Sequence, residues 1–302
     1  MISILIPVYN YKIKILIDVL NKQLINTKIK YEIICLDDCS NLFTVENECV
    51  GSILNVRLIK LECNIGRSKI RNLLVEKAKY EWLLFLDADV LPETNNFIFN
   101  YIKCIQFNKG SVYCGGIIYE KTRPISENYL RWFYGKSREE ISQSKRSKKP
   151  YKSFLGANFL INKSVFESAR FNDELYKYGY EDVLFAEDLK KNNIIIVHIE
   201  NPVFHLGLED NAVFIEKTKQ AIENLYKLNT QHLLTEDSIK ILKVFQKLKT
   251  YKLTWFFRNL YIFFHKKFEF NLKSKKPNMF VFDMYKLSYL CFIANVNRSE
   301  VV

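Results

Sequence analysis

Short apolar runs alternate with segments of helical apolar spacing along the first ninety residues of the chain. The spacing predicts strands over 3–10, 31–40, 56–61 and 82–86, and helices over 12–24 and 67–79. Strands that alternate with helices over short connections form a parallel sheet with right-handed crossovers. The pattern therefore predicts an α/β fold with a doubly wound, mostly parallel central sheet flanked by helices.

The pattern continues less regularly to about residue 230. It predicts a helix over 92–107 with Pro92 in its first turn, a helix that opens at Gly179-Tyr-Glu-Asp182, and an amphipathic helix over 211–228. Further strands are predicted over 111–119, 154–161, 194–199 and 201–206. Residues 123–153 lack a period, and we interpret them as a loop or short helices over a cleft, with a solvated insertion as the alternative.

Polar residues follow three of the predicted strands where the chain leaves them. They are Tyr9 with Asn10, Asp37 with Asp38, and Asp87 with Asp89. The carboxyl ends of parallel strands lie at one edge of a sheet, and α/β proteins bind ligands there. The residues therefore predict one cleft.

Asp87 and Asp89 end the apolar run 82–86 one residue apart. Side chains alternate along a strand, so we expect both carboxylates on the same side. Two carboxylates so placed repel each other unless a cation lies between them. Mg²⁺ or Mn²⁺ holding a diphosphate would satisfy them, whereas a merely polar turn is the alternative.

A glycine-rich phosphate loop is missing from the sequence. No Gly-x-Gly-x-x-Gly follows the first predicted strand, and no Walker loop occurs. A nucleotide bound by this chain would therefore be held by carboxylates, a metal and basic side chains.

Composition is that of a globular protein, with 48% hydrophobic and 26% charged residues. The seven cysteines are odd in number and have no zinc-site spacing, so we expect reduced, buried thiols. No apolar stretch is long enough for a spanning helix, and the start of the sequence does not resemble a signal peptide. These observations favour a cytoplasmic location.

The basic charge is concentrated at the end of the sequence. Residues 238–302 hold 13 Lys or Arg against 3 Asp or Glu, so most of the net charge of +12 belongs to them. Aromatic and basic residues interleave over 239–292, and the pattern predicts a helical extension. It could contact an anionic membrane surface, or it could be a helical cap that packs on the rest of the protein.

Five motifs in order resemble the family 2 glycosyltransferases of the GT-A fold. They are Pro7-Val-Tyr-Asn10, Asp37-Asp-Cys-Ser40, the segment 64–72, Asp87-Ala-Asp89 and Gly179-Tyr-Glu-Asp182. The resemblance covers about residues 1–230. It implies a Rossmann-like GT-A domain over 1–232, with 233–302 as a basic, aromatic helical extension. It also implies transfer, with inversion, of a sugar from a nucleotide-diphosphate sugar to a hydroxyl of a glycan or lipid-linked glycan.

The resemblance assigns six residues to the donor: Pro7, Tyr9, Asp38, Arg67, Arg71 and Asp87. Pro7 and Tyr9 would line the nucleobase, and Asp38 would accept its ring N–H. One of Arg67 and Arg71, which lie four residues apart, would reach the diphosphate, with Arg67 favoured for its place at a helix start. Asp87 would contact the ribose or a metal-bound water.

The resemblance also assigns the metal, the base and the acceptor site. Asp89 would bind Mn²⁺ or Mg²⁺ directly, and His205 would complete the metal site unless it is only structural. Asp182 would be the general base, where the alternative is an acidic residue favoured at a helix start. Asn158, Trp132 and Glu181 are the acceptor-site candidates.

Two other functions stay open at this point. A nucleotidyltransferase of similar fold also uses paired carboxylates, although the chain lacks the glycine- and basic-rich loop expected after its first strand. A nucleic-acid-binding protein could act through the basic, aromatic tail. Within the favoured function, a UDP-sugar is preferred only because it is frequent in the family, and an oligomer is possible.

Overall fold

The computed structural model describes residues 1–107, 110–174, 179–234 and 236–299. The chain divides into two compact units. The first unit comprises Met1–Glu120, Glu139–Tyr176 and Glu181–Gly207, and the second comprises Lys121–Arg138, Lys177–Tyr180 and Leu208–Val302. The boundary at residue 232 stays a prediction.

Ten strands and twelve α-helices are found in the described residues. The strands are β1 Ile2–Val8, β2 Tyr31–Asp37, β3 Val56–Lys60, β4 Trp82–Leu86, β5 Val90–Pro92, β6 Val112–Cys114, β7 Ile117–Ile118, β8 Asn158–Asn162, β9 Ile196–His198 and β10 Val203–His205. The helices are α1 Lys14–Ile25, α2 Thr44–Glu48, α3 Arg67–Lys77, α4 Phe97–Phe107, α5 Tyr129–Arg138, α6 Gln143–Ser147, α7 Lys163–Ser168, α8 Glu181–Lys191, α9 Asn211–Thr230, α10 Lys240–Thr250, α11 Thr254–Leu272 and α12 Met279–Ser299.

The first unit contains a seven-stranded sheet in the order β3-β2-β1-β4-β8-β6-β9. β1 pairs in parallel with both β2 and β4, while β8 runs antiparallel to β4 and β6. Non-consecutive neighbours joined through helices are the arrangement that the alternating pattern predicted. The α/β class with a mostly parallel central sheet is therefore confirmed.

A second, three-stranded sheet in the order β5-β10-β7 also belongs to the first unit. β10 runs antiparallel to β5, with His205 opposite Val90, and parallel to β7. Because β5 begins directly after Asp89, this sheet ties the end of β10 to the turn that follows β4.

The core of the first unit lies between the central strands and the helices that cover them. The central strands have almost fully buried residues on both faces, so they read as continuous apolar runs. One cluster is aromatic: Phe85 stacks on Phe159 at 4.6 Å between ring centroids and lies 5.5 Å from Phe166. Phe171 and Phe185 stack at 4.4 Å in the same cluster.

Two predicted elements differ in the structure. Pro92 ends β5 opposite Val203 instead of opening a helix, and α4 begins only at Phe97. The predicted strand over 111–119 is split into β6 and β7, which belong to different sheets. Gly116 lies between them with φ of +86°, a conformation that breaks the extended chain and that glycine adopts without strain.

Of the two interpretations of 123–153, the short helices are confirmed, and the alternative of a solvated insertion is wrong for much of the segment. The segment forms α5 and α6, and its last part is fastened to the first unit by Arg146, which is 3% exposed. The Arg146 guanidinium donates to the backbone oxygens of Cys114, Gly115 and Ile199 at 2.9–3.0 Å. Because Arg146 donates hydrogen bonds to several buried carbonyls, it holds this part of the segment in place.

The regular elements in the described residues of the second unit are all helices, as predicted for the end of the chain. Its buried cluster consists of Leu130, Phe214, Ile215, Leu272, Phe282 and Tyr285. No helix in the described ranges carries an apolar stretch that could cross a bilayer.

The expectation of buried thiols holds for four of the seven cysteines. Cys35, Cys104, Cys114 and Cys291 are buried, whereas Cys49 and Cys63 are exposed and Cys39 is half-buried. All seven are free, so the predicted reduced state agrees with the structure, but the predicted burial is wrong for Cys49 and Cys63.

Replacing Phe85 by Ala should lower the free energy of unfolding by about 3–5 kcal/mol, because a cavity opens among three aromatic rings that cannot close around it. Chemical denaturation measures the change. Phe107→Ala is the matched control, since the Phe107 side chain is 79% exposed and should change stability by less than about 0.5 kcal/mol. Equal effects of the two substitutions would contradict the packing described.

Candidate active site

At the carboxyl edge of the sheet β1 and β4 part to leave a cleft, whereas β1 and β2 stay paired as far as Val8 and Asp37. β1 and β4 are paired only as far as Leu5 and Phe85, and Pro7 lies two residues further along β1. Proline has no N–H to give to a neighbouring strand, so the sheet can part at this point. Tyr9 follows with a ring that is 54% exposed.

Asp38 closes one side of the cleft and is 5% exposed. Its two carboxylate oxygens accept the backbone N–H groups of Ile65 at 2.7 Å and Gly66 at 3.1 Å, immediately before α3. Burial raises the pKa of Asp38, with the neighbouring charge of Asp37 acting in the same direction, while the two backbone bonds oppose the shift. Asp38 therefore fixes the start of the helix that carries both candidate arginines.

Arg71 and Asp87 form an ion pair of 2.7 Å across the cleft floor. The Arg71 side chain is 3% exposed and leaves its Nε atom without a hydrogen-bond partner. Burial alone would raise the pKa of Asp87, but the Arg71 and Arg67 guanidinium groups outweigh it and hold that pKa below its usual value. Asp87 is therefore an ionised carboxylate with a fixed counter-charge.

The two arginines of α3 differ in exposure. The Arg67 side chain is 52% exposed and lies 3.4 Å from the Glu181 carboxylate, which is almost buried. A half-exposed guanidinium on a long pair can change partner at low cost, whereas Arg71 is held by its buried pair. Arg67 is therefore the arginine better able to follow a ligand.

Asp182 lies in the first turn of α8 and faces Gly156. One carboxylate oxygen accepts the Gly156 N–H at 2.8 Å, and the other is buried without a hydrogen-bond partner. Burial raises the pKa of Asp182 to about 6, and the charges of Glu181 and Asp87 act in the same direction against Arg71. A half-satisfied carboxylate with a raised pKa is suited to take a proton near neutral pH.

Asp89 and His205 meet at the other end of the cleft because β5 and β10 are paired. His205 Nε2 lies 3.6 Å from a carboxylate oxygen of Asp89, and the Leu206 N–H donates to the Asp89 carbonyl at 2.8 Å. The Tyr119 ring lies 5.4 Å from the imidazole. Burial and the nearby charge of Asp89 raise the pKa of Tyr11, so that phenol also borders this end of the cleft.

Asp87 and Asp89 do not continue β4, which ends at Leu86. The alternation argument for their side chains therefore does not apply. Instead each carboxylate has its own cationic or imidazole neighbour, Arg71 for Asp87 and His205 for Asp89.

A divalent metal fits Asp89 and His205 as a partial ligand pair. Their 3.6 Å separation is compatible with two neighbouring ligands whose bonds to a metal are about 2.1 Å long. Within the described residues, no group of three or more His, Cys, Asp or Glu is arranged to hold a metal. The remaining coordination positions would therefore fall to phosphate oxygens and water, as is usual for Mg²⁺ bound with a nucleotide.

A family comparison assigns the chain. The model of Glycosyl transferase family 2 matches residues 3–169, which is more than half of the sequence. The chain belongs to glycosyltransferase family 2. The matched residues contain the Asp38, Arg71, Asp87 and Asp89 arrangement described above, and the membership outweighs the nucleotidyltransferase alternative.

Similar proteins extend this assignment. A Haemophilus influenzae protein described as an uncharacterized glycosyltransferase is 33% identical over 130 residues, which cover 37% of this chain and 42% of that protein. The match thus spans less than half the length of this relative.

Two solved structures share the fold at low identity. PcManGT, a mannosyltransferase from Pyrobaculum calidifontis solved with GDP-Man and Mn²⁺, has a TM-score of 0.52 and 14% identity over 76% of this chain and 64% of that one. S. aureus TarS 1–349 in complex with UDP has a TM-score of 0.50 and 16% identity over 99% of this chain and 91% of that one. The predicted GT-A fold of this family 2 chain is confirmed.

The structure does not bring every predicted residue to the cleft surface. Asn158 is 1% exposed, and its amide is occupied internally: it accepts from the Tyr101 hydroxyl at 2.7 Å and donates to the carbonyls of Gly116 and Asn201 at 2.9 Å. This geometry favours a structural part for Asn158 over contact with an acceptor. Trp132 belongs to the second unit, on α5, with its ring 5.4 Å from Tyr129, and its acceptor role stays a prediction.

Two glycines complete the site of this family 2 chain, and a role in leaving room for a carboxylate was predicted for neither of them. A Cβ on Gly156 would lie 2.4 Å from Asp182 Oδ1, and a Cβ on Gly207 would lie 2.0 Å from Asp89 Oδ2. Each glycine therefore leaves room for one carboxylate. The sequence signal is weak, because a lone glycine near a strand end is common.

Replacing Asn158 by Ala should lower the free energy of unfolding by about 3 kcal/mol, because it withdraws an amide that joins three buried polar groups. Urea unfolding measures the change. Asn26→Ala is the control, since Asn26 is exposed and its amide bonds only the Lys22 carbonyl. If Asn158→Ala leaves the stability unchanged, the structural role of Asn158 is contradicted, and Asn158 is again a candidate for acceptor binding.

Proposed function

We propose that this chain is a metal-dependent, inverting glycosyltransferase that moves a sugar from a nucleotide-diphosphate sugar to a hydroxyl acceptor. The observation that carries the proposal is the clustering of opposite charges in one cleft of the first unit. Asp87 pairs with Arg71, Asp89 lies beside His205, and Asp182 is half-buried where the charges of Arg71 and Asp87 reach it. Such a set can hold a charged donor at one end and activate a hydroxyl at the other.

The donor would be held by residues of β1, β2, α3 and the turn after β4. Pro7 and the exposed Tyr9 would border the nucleobase, with Asp38 next to them directly after β2. Asp38 already accepts two backbone N–H groups, but each carboxylate oxygen can accept one more bond. Asp87, as an ionised carboxylate, would accept hydrogen bonds from the ribose or from a metal-bound water.

Asp89 and His205 are the residues that would hold Mn²⁺ or Mg²⁺. When bound, such an ion neutralises the negative charge that gathers on the departing nucleoside diphosphate. Arg67 would assist by leaving Glu181 for the diphosphate, since its guanidinium is half exposed and at the start of α3. The imidazole of His205 suits Mn²⁺ better than Mg²⁺.

Asp182 is the proposed base. In a single displacement the acceptor hydroxyl forms a bond to the anomeric carbon while the bond from that carbon to the diphosphate breaks, and the hydroxyl proton passes to a carboxylate oxygen of Asp182. The oxygen that lacks a hydrogen-bond partner keeps its lone pairs available to receive the proton. Attack from the face opposite the leaving group inverts the anomeric centre.

The donor and acceptor are proposed by class. The structural neighbours were solved with UDP and with GDP-Man, so a nucleotide-diphosphate sugar is supported and a UDP-sugar is our preferred donor. We propose a glycan or lipid-linked glycan as acceptor, with Glu181 and Trp132 as its remaining candidate contacts. The proposed location is the cytoplasm, at the inner face of the membrane where the acceptor is lipid-linked.

A thermal-shift screen tests the donor proposal. Nucleotide-sugars of uridine, guanosine and thymidine are each added with Mn²⁺, with Mg²⁺ or with a chelator. A ligand that binds only the native state raises the melting temperature as its concentration exceeds its Kd. We expect metal-dependent stabilisation by one class of nucleotide-sugar, and no stabilisation by any of them would overturn the proposal.

Asp89→Ala should abolish the metal-dependent part of this stabilisation and reduce transfer at least about a hundredfold, because the metal loses its carboxylate ligand. Isothermal titration with Mn²⁺ and nucleotide gives the loss of affinity. Asp18→Ala is the control, since Asp18 is half exposed and pairs only with Lys14 on α1. Full metal-dependent activity of the Asp89 variant would refute the metal assignment.

Asp182→Asn should leave the donor affinity within about threefold and lower kcat by about a hundredfold or more, because the amide cannot accept the proton. Asp188→Asn on the same helix is the matched control, since Asp188 pairs with Lys191 at the surface. In the unchanged protein, transfer should fall as the pH drops below about 6, where the raised pKa of Asp182 lets the carboxylate take up a proton. A rate that is flat from pH 5 to 8, or donor binding lost with the substitution, would argue against Asp182 as the base.

A further inference from the structure

Helix α11 of the second unit has two faces that differ sharply in environment. One face packs on α12, where the Tyr261 ring lies 5.0 Å from Tyr289 and 5.1 Å from Phe292. Leu272, near the end of the same face, is fully buried. The helix is therefore anchored along its length, and its other face has a fixed direction within the unit.

The opposite face is apolar and exposed to solvent. It is formed by Trp255, Ile262, Phe263, Lys266 and Phe270, which fall within about 100° of the helix circumference. Trp255 is 58% exposed, Phe263 73% and Phe270 81%. We name these five residues the exposed face of α11. Large aromatic rings gathered on one exposed face are uncommon for a surface that stays in water and indicate a binding surface.

Basic residues accompany the exposed face. Arg258, Lys266 and Lys267 of α11 are all exposed, and within the described residues neither Arg258 nor Lys266 takes part in an ion pair. The one acidic residue of the helix, Glu269, is instead turned to the Tyr285 hydroxyl, from which it accepts a hydrogen bond at 2.9 Å. The surface therefore combines aromatic rings with uncompensated positive charge.

We propose that the exposed face of α11 binds the surface of an anionic phospholipid bilayer. The helix lies parallel to the membrane, with Trp255, Phe263 and Phe270 among the headgroups and the upper acyl chains. Arg258, Lys266 and Lys267 lie at the level of the lipid phosphates, where positive side chains are attracted to an anionic leaflet. The long side chain of Lys266 reaches the phosphates from within the apolar face.

The charges and the apolarity of the helices argue against other binding partners for the exposed face of α11. A second copy of this chain would bring a second positive surface against the first, and like charges repel across a close interface. Insertion across the bilayer does not fit, since no helix of the described ranges is apolar enough to span it. A nucleic acid needs many phosphate contacts, whereas this helix offers more exposed aromatic rings than cations. A lipid surface matches both features.

The first experiment measures binding of the full chain to vesicles by co-sedimentation. We expect binding to phosphatidylcholine vesicles that contain phosphatidylglycerol, weaker binding to phosphatidylcholine alone, and weakening with salt. Phe263→Glu should weaken the partition at least about tenfold, because it withdraws an inserted ring and adds a negative charge. Phe107→Glu on α4 is the control, since Phe107 is as exposed but is not on the exposed face of α11, and it should leave binding unchanged.

The second experiment locates the contact. Lipids brominated in the acyl chain quench the fluorescence of tryptophans that enter the bilayer, and the chain has three tryptophans. Quenching should disappear in Trp255→Phe, a variant that keeps an aromatic ring and should still sediment with the vesicles. Quenching that persists in this variant would assign the contact to another tryptophan and overturn the proposal.

Two further outcomes would overturn the inference. One is the absence of vesicle binding at low salt, and the other is binding to single-stranded oligonucleotides without binding to vesicles. None of these measurements involves sugar transfer, so the inference stands or falls independently of the proposed function.

Discussion

A largely buried ion pair after a hydrophobic strand determines the electrostatics of the whole cleft. β4 runs through the core as an apolar strand and delivers Asp87 to a position where an isolated carboxylate would be strongly disfavoured. Arg71 removes that penalty at 2.7 Å, and Asp38 holds the start of the helix on which Arg71 stands. Each partner of such a pair depends on the other, because removing one leaves a buried charge uncompensated. The Arg71 and Asp87 pair is therefore needed for the stability of the fold as well as for the proposed binding site.

With Asp87 satisfied inside the protein, the neighbouring carboxylates are left in different electrostatic states. Asp89 lies beside the imidazole of His205, and Asp182 has one oxygen bonded and one without a hydrogen-bond partner. The charge of Asp87 raises the pKa of Asp182 while the charge of Arg71 lowers it, so the same pair that holds the floor also tunes the proposed base. Two glycines keep these carboxylates in place by leaving them room. The cluster thus has three parts. The Asp87 and Arg71 pair is fixed, Asp89 with His205 is the part proposed to bind a cation, and Asp182 is the part proposed to accept a proton.

The features that follow from local sequence were predicted well, and those that follow from distant pairing were not. The apolar run before Asp87 marks a buried strand by itself, and the alternation of strands and helices implies the parallel order of β2, β1 and β4. β5 and β10 are three-residue strands more than a hundred residues apart. Strands this short have no periodicity of apolar residues from which their pairing could be predicted. The burial of Asn158 and Arg146 is equally invisible, because polar side chains enter a core only where several separate backbone carbonyls converge on them.

The uneven charge of the chain bears on how an anionic donor would be captured. Most of the net charge of +12 belongs to residues 238–302, so the first 237 residues are close to neutral and create little long-range field. Charges exposed at the tail act over about a Debye length of 8–10 Å at physiological salt, and an anionic membrane bound to them would neutralise much of that field. Selection of a nucleotide-sugar would then depend on short-range groups: the half-exposed Arg67, the Asp89 and His205 pair, and the ion proposed to bind there. On this view the two charged regions have different functions. The basic tail would bind the membrane, and the charged cleft would select the donor.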